Sequence, residues 1–468
     1  MDSRHTENRI DDFGKPHYGS KTDDFGKPQY GMGNDNPLTW RERELSSEYI
    51  DSLVKPQGMD KPMLVITLVI LLIGIVMVLS ASYARGSYSS GGPLRLFFRQ
   101  GTFAVAGIAL MLVVSRISTK TISRWSMHLL LASIFLLILV PFIGITVNGA
   151  KRWLGFGNPD NTLFTFQPSE VAKLALILAF AQMACKIGIE KMKTFKFGVV
   201  PFAAVLLLMI ILLRFQSHLS AIIIITALAA VMMFAGGTGV KWFILVVAVL
   251  VSMISGLIFF QLRSNVPDLA MEEVTIDTIR TGVDFSGMGY QGRRINAWLD
   301  PDADPRGDGL QIRQSLNAIG SGGLLGQGLG QSRQKYMYLP EEHNDYIFAI
   351  VCEELGFVGA MLVIMLFMLL IIRGYWLGIN AKDKFSSLIV IGITSLLALQ
   401  VFFNVAVVTN MLPATGITLP FFSYGGTALM LQLLQIGIIL SVSREIPAPV
   451  DEKKKRQKEQ NMFFENSI

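Results

Sequence analysis

Residues 298–359 read WLDPDADPRGDGLQIRQSLNAIGSGGLLGQGLGQSRQKYMYLPEEHNDYIFAIVCEELGFVG, a polar Asp- and Gly-rich loop that runs straight into an apolar helix carrying adjacent carboxylates. Ionisable groups at the edge of an apolar bundle are costly to bury and point to the handling of a polar substrate. Asp300, Asp302, Asp304 and Asp308 alternate as in a calcium loop. That motif wants Gly at its sixth position and Glu at its twelfth. Pro305 and Gln311 stand there, so calcium is not expected. Asp before Pro favours a turn. This covers Asp300, while Asp302 and Asp308 read as solvated. Asp304, between Ala303 and Pro305, is the candidate for a positioned general base, with a plain turn role still open to it.

Other charged positions follow in the same terms. FQPSEVAK (166–173) opens a helix with Pro168 in its first turn and puts Glu170 and Lys173 on one face. The acid suits the positive end of the helix. Lys173 either snorkels outwards or pairs with Glu170 inside the bundle. Glu353 and Glu354 lie about two turns into an apolar run and are the costliest residues in the chain. A functional site and a structural pairing with a basic group of another span are the alternatives. GSGGLLGQGLG (320–330) lacks the GK[ST] ending of a phosphate-binding loop, and close-packed or re-entrant backbone is expected instead. MLPATGITLPFFSYGG (411–426), with two prolines and three glycines, reads as broken backbone forming part of a cavity wall.

The elements that position these groups follow from composition. The chain is 51% hydrophobic and 16% charged, with mean hydropathy +0.47, which places it in a bilayer. Apolar runs at 63–83, 98–115, 126–145, 168–185, 198–213, 219–236, 243–262, 345–372, 386–408 and 426–443 predict an all-α polytopic membrane protein of about ten spans. Arg116, Lys120 and Arg124, then Lys186, Lys191, Lys193 and Lys196, then Arg373, Lys382 and Lys384 fall on one side, with KKKR at 453–456. That side is expected to be the cytoplasm, with both termini inside and the long loop 263–344 outside. No signal peptide is read, because the first apolar run begins near Met63 behind a long polar leader. The leader 1–60 holds two copies of a short motif, DDFGKPHYG (11–19) and DDFGKPQYG (23–31), too few to stack as a solenoid. It and the tail 445–468 are expected to be disordered cytoplasmic segments flanking a membrane domain at 61–444. Cys185 and Cys352 form no disulfide or zinc pattern. The net charge of +6 sits in short loops and is no nucleic-acid footprint.

With these residues in hand, the chain resembles the SEDS family (shape, elongation, division and sporulation), which groups FtsW, RodA and SpoVE proteins. The similarity rests on SAS (80–82), NGAKRW (148–153), FQPSEVAK (166–173), LDPDADPRGDGLQIRQS (299–315), IGSGGLLGQGLGQSRQK (319–335), LPEEHNDYIFAIVCEELGFVG (339–359) and LPATGITLPFFSYGG (412–426). It covers residues 60–444. The resemblance implies a peptidoglycan glycosyltransferase that polymerises lipid II at the outer face of the bacterial cytoplasmic membrane. It implies Asp304 as the catalytic carboxylate, Arg294 as a basic position upstream of it, and Glu170 and Lys173 as the family's helix-four pair. Gln314, Ser315, His343, Asp345, Glu354 and Ser423, within the matched stretches, are further substrate-binding candidates. Expected partners are a class B penicillin-binding protein acting as transpeptidase, other divisome or elongasome proteins, and membrane lipids. The sequence requires no cofactor; a divalent metal, Mg or Mn, is a further candidate for neutralising the diphosphate. QSHLS (216–220) stands where many members have a Pro-Asp-Leu-Gly turn, Asn344 replaces a usual Thr, and Leu310 replaces an aromatic. A lipid II flippase is the alternative class, and a scaffold that only recruits a transpeptidase is the third.

Overall fold

Apolar stretches of about 20 residues leave no backbone unpaired when helical, and this governs most of the chain. The computed structural model describes residues 21–22, 28–29, 58–88, 92, 94–147, 150–156, 164–216, 218–244, 290–302 and 307–446. In the leader, β1 (Lys21–Thr22) pairs antiparallel with β2 (Pro28–Gln29). The membrane unit follows by itself. Its helices are α1 (Lys61–Tyr88), α2 (Arg95–Val114), α3 (Thr119–Ile143), α4 (Pro168–Ile187), α5 (Ile189–Met192), α6 (Phe195–Gly198), α7 (Val200–Phe215), α8 (Leu219–Gly236), α9 (Tyr290–Leu299), α10 (Asp308–Gly322), α11 (Ile347–Ile379), α12 (Lys384–Val408) and α13 (Gly426–Glu445). Between α3 and α4 a small antiparallel sheet, β3 (Ile145–Val147), β4 (Ala150–Phe156) and β5 (Phe164–Phe166), adds the one non-helical layer among the described residues of this unit.

Eight described helical segments are long and apolar enough to cross a membrane: α1, α2, α3, α6 with α7, α8, α11, α12 and α13. The expected span at 168–185 is α4, which carries Glu170, Lys173 and Lys186 yet lies at the centre of the bundle. Ala172, Ala175, Leu176, Ile177, Ala179, Phe180 and Ala181 on it are all buried, as for a helix enclosed on every side. The expected span 243–262 lies almost entirely outside the described residues, so the count of ten rests on nine segments seen here. The start of α1, the end of α11 and the end of α13 meet at Asp60, the turn between α2 and α3 meets the end of α13 through Thr119 and Glu445, and the start of α12 meets the end of α8 through Lys384 and Gly236. The Lys- and Arg-rich turns therefore gather at one end, and the sheet, α9, α10 and the segment 409–425 gather at the other. At the basic end Asp60 ties three helices: its carboxylate meets Arg373 of α11 at 2.6 Å, its N–H donates to Ser443 of α13 at 3.1 Å, and it caps α1 through Met63 N–H at 2.8 Å.

Two stretches of non-helical backbone are held inside the helical frame. The first breaks α11 at Gly356, where φ is +67°. Residues 323–328 lie across the break. Gln327 and Gly328 N–H donate to the Glu353 and Glu354 carbonyls at 2.9 and 3.0 Å, and Phe357 and Val358 N–H donate to Gly323 and Leu324 carbonyls at 2.9 and 3.1 Å. Only glycine admits this approach: a Cβ on Gly356 would lie 2.2 Å from Gly326 N, and one on Gly326 would lie 2.2 Å from Glu354 O. The re-entrant reading of 320–330 thus takes the form of a strand-like splint over a helix break.

The second stretch, 409–425, is paired by side chains from its neighbours. Asn404 Nδ2 donates to Asp345 O (2.7 Å) and Ile417 O (2.8 Å), Trp298 Nε1 to Asn410 O (3.1 Å), and Arg294 Nη1 to Ala414 O (3.1 Å). Phe421 N–H donates to Gln432 Oε1 at 2.9 Å, and Gly425 N–H to Gln100 Oε1 at 3.2 Å. Gly356→Ala will lower the thermal midpoint of the detergent-purified protein, by about 1–2 kcal/mol from the left-handed backbone alone and more from the clash. Gly320→Ala, whose Cβ would meet nothing, is the control and will hold or raise the midpoint.

Candidate functional site

At the end away from the basic turns, the segments converge on a cavity of about 370 Å³. Arg99 comes from α2, Arg152 and Trp153 from β4, Gln167 and Glu170 from the start of α4, and Arg294 from α9. Gln311 of α10, Glu341 and Asp345 ahead of α11, and Gly416, Thr418 and Tyr424 of the 409–425 stretch complete the wall. Sequence-distant segments thus present three guanidinium groups to one concave space. Clusters of that kind recognise phosphate oxygens, which accept paired N–H donors from arginine.

The charges in the wall are organised by burial. Lys173 Nζ donates to Glu170 Oε1 at 2.7 Å, and both side chains are nearly inaccessible, so pairing rather than snorkelling is the arrangement adopted. Asp345 borders the cavity half-buried. Burial pushes its carboxyl up to about 6, reinforced by Glu341 and opposed by Arg294, His343 and Arg152. His218, at the turn between α7 and α8, is held neutral: burial, then Arg152 and Lys173, bring its imidazole down to about 3. Burial also raises the Tyr424 phenol, while a hydrogen bond with Arg99 pulls the other way.

The positions named from the sequence divide into three groups. Arg294, Glu170 and Asp345 line the cavity, and Lys173 backs it through its ion pair. Ser423, His343 and Ser315 support it instead. Ser423 Oγ donates to Asn344 O at 2.8 Å, the His343 ring packs against Tyr424 at 5.8 Å, and Ser315 Oγ donates to Val408 O at 2.7 Å. Gln314 lies away from the cavity on α10 and accepts from Asn317 at 3.4 Å. Glu354 belongs to a separate buried network: it accepts from Ser80 Oγ at 2.6 Å and from Lys335 Nζ at 2.9 Å, and Lys335 also donates to Gly330 O at 2.6 Å. Glu353 accepts from the Ser332 hydroxyl and from Arg333 N–H at 2.9 Å. This network ties the loop after α10 to α11 and α1; the basic partner of Glu354 comes from that loop and not from another span, and Glu353 meets only the Ser332 hydroxyl and backbone N–H groups. Asp304 lies outside the described residues.

Sequence reading passed over Arg99, Arg152, Gln167, His218 and Tyr424 as site residues. Arg152 and Gln167 stood in motifs already noted, and His218 stood in the departing QSHLS turn, so those signals were present. Arg99 sits at the start of an apolar span, where a cation is ordinary, while Tyr424 stood in the 411–426 stretch read as part of a cavity wall. Since the Asp345 carboxyl is raised, its neutral form is favoured on folding, and that stabilisation is full below its ordinary 3.8 and lost as pH rises through about 6. Asp345→Asn will therefore melt higher than the parent at pH 7.5, by up to about 3 kcal/mol, and the gap will close at pH 4 in matched detergent melts.

Comparison with known proteins fits this arrangement. The model of the FtsW, RodA and SpoVE family, described as cell cycle protein, matches residues 61–447. Stage V sporulation protein E of Bacillus subtilis is 37% identical over 395 residues, 83% of this chain and 98% of its own length. A probable peptidoglycan glycosyltransferase FtsW of a Geobacter species (strain M18) is 36% identical over 389 residues, 83% of this chain and 97% of its own. Among solved structures, a chain from work on how a peptidoglycan synthase complex coordinates polymerization and crosslinking matches with TM-score 0.62 at 25% identity, covering 83% of this chain and 98% of that one. Thermus thermophilus rod shape determining protein RodA matches with TM-score 0.57 at 25% identity, covering 84% and 99%. With its helical frame, its membrane spans and nearly its whole described length accounted for, the chain belongs to the FtsW/RodA/SpoVE family and is a multi-pass membrane protein.

Proposed function

We propose that this chain is a peptidoglycan glycosyltransferase that polymerises lipid II at the outer face of the bacterial cytoplasmic membrane. The observation that carries the reading is the cavity itself: three arginines line a space of mixed polar and apolar walls at the end of the bundle opposite the basic turns. Lipid II carries its own activated diphosphate, so the reaction needs no nucleotide. It needs a base for the acceptor hydroxyl and cations for the departing diphosphate. Asp304 is assigned as the general base, a role typically worth about 10²–10⁴-fold. The assignment is supported by the helices on either side of it, since α9 and α10 each contribute a side chain, Arg294 and Gln311, to the cavity. Arg99, Arg152 and Arg294 are assigned to the diphosphate by charge stabilisation in a site of low water content. One carboxylate base and direct displacement give inversion at the anomeric carbon. The apolar helix faces around the cavity hold the polyprenyl tail.

Magnesium or manganese would serve the diphosphate equally well in principle. Among the described residues, however, no three His, Cys, Asp or Glu side chains converge as ligands, and Glu170 is already engaged by Lys173. The donors among the described residues do not form a resident metal site, and no step is routed through one.

The positive turns support a cytoplasmic position for both termini. The synthase-complex relative supports a class B penicillin-binding protein as transpeptidase partner, and the FtsW and SpoVE relatives support a place in division or sporulation. The rival reading, a lipid II flippase, draws on the buried Lys173–Glu170 and Lys335–Glu354 pairs. Asp304→Asn will abolish glycan polymerisation from purified lipid II with the thermal midpoint unchanged, and Arg294→Ala will lower the rate at least tenfold. Normal glycan synthesis by the Asn variant, or lipid scrambling indifferent to residue 304, would overturn the enzyme in favour of the transporter.

A further inference from the structure

At the basic end of the bundle, the turn holding α5 and α6 is folded tightly and tied to the segment that follows α8. A Cβ on Gly198 would lie 1.8 Å from Met192 O, so glycine is what lets α5 and α6 close on each other. Thr238 Oγ1 donates to Gly198 O at 3.1 Å, and Trp242 Nε1 donates to Lys193 O at 3.3 Å. The Phe195 and Trp242 rings pack with centroids 4.9 Å apart. Two loops distant in sequence thus build one surface.

The charge on that surface is unbalanced. Lys191 and Lys196 both stand over the Phe197 ring, 5.9 and 5.7 Å from its centroid, and Lys241 stands 5.0 Å over Trp242. A cation within about 6 Å of a ring face is held there by the ring's quadrupole. None of the three ammonium groups has an acidic partner among the described residues. The acids of the adjoining turns are engaged: Glu190 pairs with Lys193 at 3.0 Å, and Asp383 caps α12 through Ser386. Cations that repel one another are gathered on an aromatic floor, and an anion among them relieves that repulsion. The floor says which anion. Phe195 and Phe197 are 49% and 43% exposed, and Phe195 opens the membrane-crossing segment Phe195–Phe215. Their rings therefore lie where headgroups give way to acyl chains. A free phosphate would engage the ammonium groups alone. A phospholipid engages both, its phosphate on the lysines and its upper acyl chains on the rings.

We propose that the surface made by residues 189–198 and 238–242 is a binding site for an anionic phospholipid of the leaflet at the basic end, with Lys191, Lys196 and Lys241 on its headgroup and Phe195, Phe197 and Trp242 against its acyl chains. It lies at the opposite end of the bundle from the cavity and does not depend on the reaction carried out there.

The test places the full-length protein in vesicles of equal parts phosphatidylglycerol and phosphatidylcholine, with benzoylphenylalanine in place of Phe197 as a photoreactive probe. Mass analysis of the illuminated protein identifies the lipid attached at that position. Phosphatidylglycerol will be captured over phosphatidylcholine by about fivefold or more, the worth of a single lysine near an anionic surface. Lys191→Gln, Lys196→Gln and Lys241→Gln combined will bring the two lipids to parity, whereas arginine at the same three positions will preserve the preference. All three lysines are exposed, so the glutamine variant will keep the parent's thermal midpoint. Lys120→Gln with Arg124→Gln, exposed at the start of α3, will leave the preference as it was. Equal capture of the two lipids by the parent, or a preference that survives the three glutamines, would overturn the proposal. So would loss of capture in excess inorganic phosphate at constant ionic strength, which would mark the surface as a site for a free anion.

Discussion

Backbone that leaves the helix inside a membrane has no water to pair with, and each orphaned N–H or carbonyl costs several kcal/mol. That constraint shapes everything interesting in this protein. The stretch 409–425 survives as irregular chain because Asn404, Arg294, Trp298, Gln432 and Gln100 reach out from helices to pair it. Residues 323–328 survive because the break at Gly356 exposes the carbonyls and amides they need. Irregular chain can carry polar groups inwards without the stepwise geometry of a helix, and the 409–425 stretch is also where the cavity acquires part of its wall.

Charge is used at two levels. In the network of Lys335, Glu354 and Ser80, every charged atom is met by a partner, and removing one member of such a pair typically costs about 3–5 kcal/mol because the other is left buried alone. This network is scaffold. At the cavity the balance differs, for arginines gather there with the carboxylates of Glu170, Glu341 and a half-buried Asp345, the last raised towards neutrality. The same residue types thus serve cohesion in one place and ligand capture in the other, and exposure to the cavity separates the two roles.

Much of this was legible in the residues. Run length and hydropathy gave the helical class and most span positions, because the bilayer imposes one length scale. Glycine spacing gave close-packed backbone at 320–330, and the Pro/Gly content of 411–426 gave a cavity wall. The assembly of the site was less legible. Arg99, Arg152 and Arg294 are separated by long stretches of chain, and nothing local marks them as neighbours. Glu354, read as a substrate contact, is engaged by Lys335 from a loop 19 residues earlier, a pairing that depends on the fold. The sheet between α3 and α4 was missed because its strands are short and carry mixed polar residues.

The three guanidinium groups ride on α2, the hairpin of β3 and β4, and the short helix α9, each tethered to the frame by its own contacts. Carboxylates of Glu170, Glu341 and Asp345 line the same space, so the repulsion among the three carriers is offset there in part. Anything that binds among these groups is linked to the spacing of their carriers, and by reciprocity a change in that spacing changes its affinity.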